Sequence, residues 1–307
     1  MSLYTERHGM RTPMEKTYTI SVKAYSVIFD CCERYFENLA WKYPEECSDE
    51  GHNCCGIDLD KFSEDMEYEI PTLFKRNGLI AKPLTIKNVF EDEPSEEPFD
   101  QYALLDLIEY IVQNIRDITR RNYHSYLKHD HISFGTTNDT AVKFAEEVNA
   151  IFKKTGLLYQ LTGDYEVERI EEASVLSPEI ETNIAQIPEQ GTKDLLITAI
   201  QKHKSPHPSD QRDAVEKIWD AFERLKSYYT SLSKKDSADK IIFDMADSKS
   251  EYISLFETEF KALTVIGNDF RIRHHETNKF DITDQRHYDY FFNRCLSLIA
   301  LAIQYLH

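Results

Sequence analysis

The chain has 307 residues, 41% of them hydrophobic and 12% aromatic, with nine glycines; this is length for two domains and apolar content for a core, and the scarcity of glycine favours helices. The net charge of −18 is uneven, with 19 Lys/Arg against 33 Asp/Glu in residues 1–176 and 17 against 21 in residues 177–307. That balance excludes a protein that coats duplex DNA through a broad basic face, but leaves room for a local basic pocket in the second half.

The opening residues 1–15 read as irregular and are closed by Pro13. From Thr17 to about Lys42, Ile20, Ala24, Val27, Ile28, Cys31, Tyr35 and Leu39 recur mostly three and four apart, which predicts a helix stopped by Pro44. A cysteine-bearing loop follows from Glu45 to about Ile57, then a helix from Leu59 to Phe74 and a turn at Asn77-Gly78. Clustered acids and two prolines make 91–98 a solvated loop. Tyr102–Tyr126 is predicted as one helix, and a further helix runs from about Thr140 to Thr155, stopped by Gly156. The alternating runs around Thr162-Gly163-Asp164 predict a hairpin over 157–170, a small two-stranded appendage.

Ser177-Pro178 opens the second half, where five helices are expected: Gln190–His203, Ser209–Tyr229 with Ser209 as N-cap, Lys235–Met245, Ser250–Ile266 with a C-cap at Gly267-Asn268, and Asp284–Leu306. The expected class is therefore all-α, mainly helical, in two parts (1–176 and 177–307) with one small β-hairpin. No apolar run approaches the ~18 residues of a membrane helix, and no leader peptide opens the chain. Cys31, Cys32, Cys47, Cys54, Cys55 and Cys295 do not form a secreted disulfide pattern. A cytoplasmic protein without membrane contact is expected.

Three groups of residues carry chemistry. Arg271, Arg273, His274 and His275 fall within five residues just before the last helix. Arginine matches phosphate with a planar donor fork, and histidine titrates near neutrality. Together they suit attack on a phosphodiester, one histidine taking the proton of an RNA 2′-hydroxyl and an arginine steadying the phosphoryl charge. They equally suit a junction in which the arginines pair with Asp269, Glu276 or Asp281. Cys47, His52, Cys54 and Cys55 supply three thiols and an imidazole for a structural zinc site, against the plainer reading of free thiols, since adjacent cysteines are awkward as paired ligands. Arg120 and His124 with His129, Asp130 and His131 can bind a metal or a phosphate, or place positive charge at a helix C-terminus. No cofactor is implied.

Tyr4-Thr-Glu-Arg-His-Gly9 before a long helix resembles the F-S-E-R-x-G start of the N-terminal domain of bacterial abortive-infection proteins of the AbiJ-like group, and the hairpin ending Tyr165-Glu-Val-Glu-Arg-Ile170 resembles the one that closes that domain. Asp213-Ala-Val-Glu-Lys-Ile-Trp-Asp-Ala-Phe-Glu-Arg224, and Ile272-Arg-His-His275 before an apolar helix, resemble their C-terminal domain, which is related to the HEPN superfamily. The resemblance implies an AbiJ-type N-terminal domain over 1–176, a HEPN-like helical bundle over 177–307, and a phage-defence role. It also implies a homodimer through the bundle and metal-independent RNA cleavage that leaves 2′,3′-cyclic phosphate. One departure stands out: HEPN ribonucleases place four to six residues between Arg and His, and no arginine here has a histidine at that spacing, Arg271-x3-His275 falling one residue short. A non-catalytic module that binds nucleotide, RNA or a protein partner is the alternative.

Overall fold

Ser21 accepts the amide of Ala24 and starts the first long helix of a computed structural model that describes residues 4–8, 10, 16–86, 95–171, 174–270, 272 and 279–306. The chain divides into two units, Met1–Ile170 and Glu171–His307. The first contains α1 (Tyr4–Arg7), α2 (Val22–Glu33), a 3₁₀ turn (Phe36–Leu39), β1 (Pro44–Glu46), β2 (Cys54–Ile57), α3 (Leu59–Glu69), β3 (Lys75–Arg76) and β4 (Leu79–Ile80). It continues with β5 (Thr85–Ile86), β6 (Ser95–Glu96), α4 (Gln101–Asn114), β7 (Ile118–His124), β8 (His129–Phe134), α5 (Asp139–Thr155), β9 (Tyr159–Leu161) and β10 (Val167–Arg169). The second contains α6 (Pro178–Ala185), α7 (Gln190–Lys204), α8 (Pro208–Leu225), α9 (Lys234–Met245), α10 (Ser250–Asp269), α11 (Gln285–Ala302) and a 3₁₀ turn (Ile303–Tyr305).

The protein is mainly helical, as its composition predicts, but the described residues contain five antiparallel strand pairs where one hairpin was expected. In the first unit α2, α4 and α5 pack on one another through Ile28, Leu104, Ile108, Phe144 and Val148, all fully buried. The helix expected over Tyr102–Tyr126 ends at Asn114. The indole N–H of Trp41 donates to the Asn114 carbonyl (2.6 Å), the Arg116 N–H donates to the Asn38 carbonyl (3.0 Å), and the Asn38 amide donates back to the Arg116 carbonyl (2.8 Å). These contacts take up backbone groups that a continuing helix would have used, and β-branched Ile115, Ile118 and Thr119 favour extended chain.

The loop expected over 45–57 is the β1–β2 hairpin, and Asn77 (φ 53°) and Gly78 (φ 85°) form the two-residue turn joining β3 to β4. Of the acidic segment 91–98, residues 91–94 lie outside the described residues; Ser95 and Glu96 pair with β5. The β9–β10 hairpin forms as expected, yet it is no appendage: Tyr159, Leu161 and Val167 are buried in the unit's core, and the Tyr159 hydroxyl donates to the Tyr18 carbonyl (2.7 Å).

In the second unit α7 and α8 pack as neighbours and α11 lies against α8. The sequence reading missed α6, which Ser177 caps by accepting the Ile180 amide. The N-cap of α8 is His207 rather than Ser209: its Nδ1 accepts the Ser209 N–H (3.3 Å), and Pro208 takes the first helical position. Nor does Gly267 cap α10, which runs through it to Asp269. Glycine is there for proximity, because a Cβ at 267 would lie 2.5 Å from two atoms of the Trp219 ring. Trp219 is fully buried and donates its indole N–H to the Leu263 carbonyl (3.0 Å), locking α8 to α10. Glu189 caps α7 by accepting the Gly191 and Thr192 amides, and it also receives two hydrogen bonds from the Arg224 guanidinium (2.9 and 2.7 Å).

No described helix is long and apolar enough to cross a membrane. All six cysteines are free, and burial pushes the thiol of Cys31 up to about 11 and those of Cys32 and Cys295 well above their ordinary value.

An alanine in a helix interior is ordinarily favoured over glycine by ~1 kcal/mol. At Gly267 the sign reverses: Gly267→Ala is expected to destabilise by about 1–3 kcal/mol through overpacking against Trp219, read as a lower urea midpoint. Arg224, followed by the α7 amides, holds the Glu189 carboxyl down at about 2, below its ordinary 4.5. A depressed carboxylate stabilises the fold above its unfolded value, and this contribution is lost as pH falls from about 4.5 towards 2. Glu189→Gln is therefore expected to lower stability at neutral pH and to flatten that acid limb in urea unfolding followed against pH.

Candidate metal centre

Two hairpins of the first unit build the site. In the β1–β2 hairpin Glu46 pairs with Cys54, and the next residue, Cys47, donates its N–H to the Asn53 carbonyl (2.9 Å). The intervening loop turns on a hydrogen bond from the Asn53 N–H to the Glu50 carbonyl (3.1 Å), with His52 at φ 81°. This closure presents the Cys47 side chain inward, at 2% exposure.

In the β7–β8 hairpin, Arg121 pairs with His131 and His124 with His129. Three steps along β7 thus match two along β8. The extra residue forms a bulge, with Asn122 in the left-handed region at φ 53°. Without it Tyr123, not His124, would stand opposite His129. His129 and His131 share a face because strand side chains alternate, and the bulge puts His124 on that face with them. The ring centroids lie 4.5 Å apart for His124–His131, 5.3 Å for His124–His129 and 6.1 Å for His129–His131.

β2 packs against β8, which brings Cys47 to the three imidazoles. Its Sγ lies 3.3 Å from His129 Nε2 and 3.8 Å from His124 Nδ1. One ligand-type atom from each of Cys47, His124, His129 and His131 lies within 4.8 Å of the others. Glu50 stands behind them, with one carboxylate oxygen 3.7 Å from His124 Nε2 and the other 3.8 Å from His131 Nδ1. His131 is 6% exposed, and its Nε2 is buried with no hydrogen-bond partner.

The residues singled out in the sequence are thus redistributed. Of Cys47, His52, Cys54 and Cys55, the structure brings only Cys47 to this cluster. His52 is exposed, the Cys54 thiol faces the Gly56 carbonyl (3.3 Å), and the Cys55 thiol faces the Glu45 carbonyl (3.4 Å). His124, His129 and His131 lie on a hairpin and not at a helix C-terminus, so the helix-dipole reading does not apply. Arg120 points elsewhere, to Glu37. Arg271, Arg273, His274 and His275 lie outside the described residues. What frames them is described: α10 ends at Asp269, the Phe280 N–H donates to the Asp269 carbonyl (3.0 Å), and Phe270 bridges to Phe280.

In the second unit Glu171, His203 and Asp289 form another group within ligand distance. His203 lies flat on Phe292 (centroids 3.7 Å apart) and meets a Glu171 oxygen through Nε2 at 2.8 Å, while Asn293 donates to the other oxygen of Glu171. Packing and hydrogen bonding account for the placement of His203 and Glu171.

The architecture is that of a mainly helical chain whose first unit carries a hairpin-borne Cys/His cluster. Residues 2–186 match the family model described as AbiJ N-terminal domain 4, and the chain belongs to that family. Membership points to an abortive-infection, phage-defence role. No curated protein and no solved structure matches the chain.

The bulge supplies a test of how the histidines are assembled. Left-handed backbone costs an ordinary L-residue roughly 1–2 kcal/mol, and a β-branched side chain is among the least tolerant. Asn122→Val is expected to speed amide exchange over residues 118–134 by roughly 5–30-fold, the equivalent of that cost, whereas Asn122→Gly leaves it near the parental rate.

Proposed function

We propose that the protein is an abortive-infection effector whose first unit senses infection and whose second unit, a HEPN-like helical bundle, cleaves RNA without a catalytic metal. The family match over residues 2–186 carries the defence reading. Residue chemistry supports the cleavage reading, since Arg271, Arg273, His274 and His275 fall in the connection between α10 and α11. In that reading His275, or His274, removes the proton of an RNA 2′-hydroxyl. The freed oxygen attacks the adjacent phosphorus, Arg271 and Arg273 balance the charge gathering on the phosphoryl oxygens, and the 5′-oxygen departs with a proton. The products are a 2′,3′-cyclic phosphate and a 5′-hydroxyl. Two copies paired through the bundle contribute one Arg/His set each to a shared cleft.

A second reading, a non-catalytic module that binds nucleotide, RNA or a protein partner, is favoured by one observation: Arg271 and His275 are separated by three residues and not by four to six. Purified protein incubated with RNA and no added divalent metal separates the two. Cleavage to cyclic-phosphate ends is expected, reduced by about 100-fold or more in His275→Ala and Arg271→Ala. Parental rates in both variants would sink the site assignment, and an inert parental protein, including one purified from phage-infected cells, leaves the binding module as the reading.

A further inference from the structure

We propose that Cys47, His124, His129 and His131 bind one zinc-class divalent ion, a closed structural centre that clamps the β1–β2 loop to the β7–β8 hairpin.

The donor set fits the ion. Thiolate and imidazole are the ligands of choice for a borderline-soft metal such as Zn²⁺, and four protein donors fill a tetrahedral shell. With bonds of about 2.3 Å to sulfur and 2.0–2.1 Å to nitrogen, tetrahedral S···N edges come to about 3.5 Å. The two Sγ···N distances, 3.3 and 3.8 Å, bracket that value.

A metal-free hydrogen-bond cluster explains the arrangement less well. One thiol can donate its single weak proton to one imidazole and accept an N–H from another, which covers His129 and His124 but leaves out His131. His131 Nε2 gains nothing from it and stays buried and unpartnered, a state that native interiors seldom leave unexplained. A metal bond to Nε2 removes the anomaly. It also fits the opposite nitrogen, Nδ1, which faces Glu50. The same carboxyl group lies beyond His124 Nε2 while His124 Nδ1 faces the sulfur. A carboxylate behind metal-bound histidines fixes ring orientation and tautomer. Charge agrees as well: one thiolate and a divalent ion leave one positive charge, which Glu50 offsets.

The role follows from coordination number and position. Four protein donors leave no place for water or substrate, so the centre is structural and not catalytic. Its ligands come from two hairpins that are separate two-stranded ribbons among the described residues, and two-stranded ribbons are marginal on their own.

The test is metal analysis of the full chain purified without chelator, followed by removal of the ion and reloading with cobalt. About one zinc per chain is expected. The cobalt protein is expected to show the visible absorption of a tetrahedral site together with a sulfur-to-cobalt charge-transfer band. Cys47→Ser should abolish that band, and Cys47→Ser and His131→Ala should each weaken zinc retention by about 10-fold or more. His52→Ala, Cys54→Ser and Cys55→Ser should retain the metal and both absorptions, which separates this ligand set from the one within 47–55. A chain that holds well under one equivalent even after incubation with zinc chloride overturns the proposal, as does an unchanged cobalt spectrum in Cys47→Ser. Should a ligand variant fail to fold, the parental cobalt spectrum decides: absence of the thiolate band overturns the site.

Discussion

The reciprocal hydrogen bonds between Asn38 and Arg116 are the constraint on which the arrangement of the first unit turns. Asn38 is nearly buried, and through its carbonyl and side-chain amide it occupies both backbone groups of Arg116. Trp41 reinforces the junction by taking the Asn114 carbonyl and by lying under the Arg116 guanidinium, 3.7 Å from its ring centroid. A helix cannot pass through a residue whose N–H and C=O are both engaged elsewhere. The chain therefore leaves α4 extended, and β7 begins. Had α4 continued, His129 and His131 would point to nearly opposite sides of it; on a strand they share one face.

That face gains meaning only when a second hairpin meets it. Bulge, tight loop and β2–β8 packing each move a donor by one residue or one turn, and together they set a thiol and three imidazoles around one point. The assembly is polar and half to fully buried in a unit that is otherwise acidic outside and aromatic within. Burying an unmatched polar atom such as His131 Nε2 is costly, by roughly 1–3 kcal/mol, and calls for a partner. A divalent ion satisfies all four donors at once, and Glu50 restores charge balance behind it.

How much of this was legible in the sequence follows from the range of the interactions involved. Helix periodicity is readable in places, and so is one cap: α5 stops at Gly156, φ 74°, and the 157–170 hairpin forms around Thr162. Gly267 reads as a cap because a glycine near a helix end looks like one, and nothing local reveals that Trp219, 48 positions earlier, needs its missing Cβ. The apolar spacing of Leu104 to Ile118 ran past the true end of α4, since the contacts that end it come from residues 38 and 41. For the same reason the Cys/His cluster was split. By sequence alone Cys47 groups with its neighbours His52, Cys54 and Cys55, and the histidines fall at the end of an expected helix. A one-residue bulge at Asn122 and the packing of β2 on β8 join them, and neither leaves a mark in composition or periodicity.

The two proposed chemistries make opposite demands on a metal, and that separates them. A structural ion in the first unit supports residues 1–170 and takes no part in bond breaking. The RNA attack assigned to the Arg271–His275 stretch uses a base and fixed cations, and requires no ion. Because metal binding to such a site is coupled to folding, prolonged chelation can silence a defence protein by dismantling its first unit while leaving the reacting groups intact. Such a loss would develop on the timescale of metal release and unfolding, whereas removal of a catalytic ion acts as fast as the ion leaves. Activity lost slowly, in step with amide exchange across the β7–β8 hairpin, therefore reports architecture and not Lewis-acid chemistry.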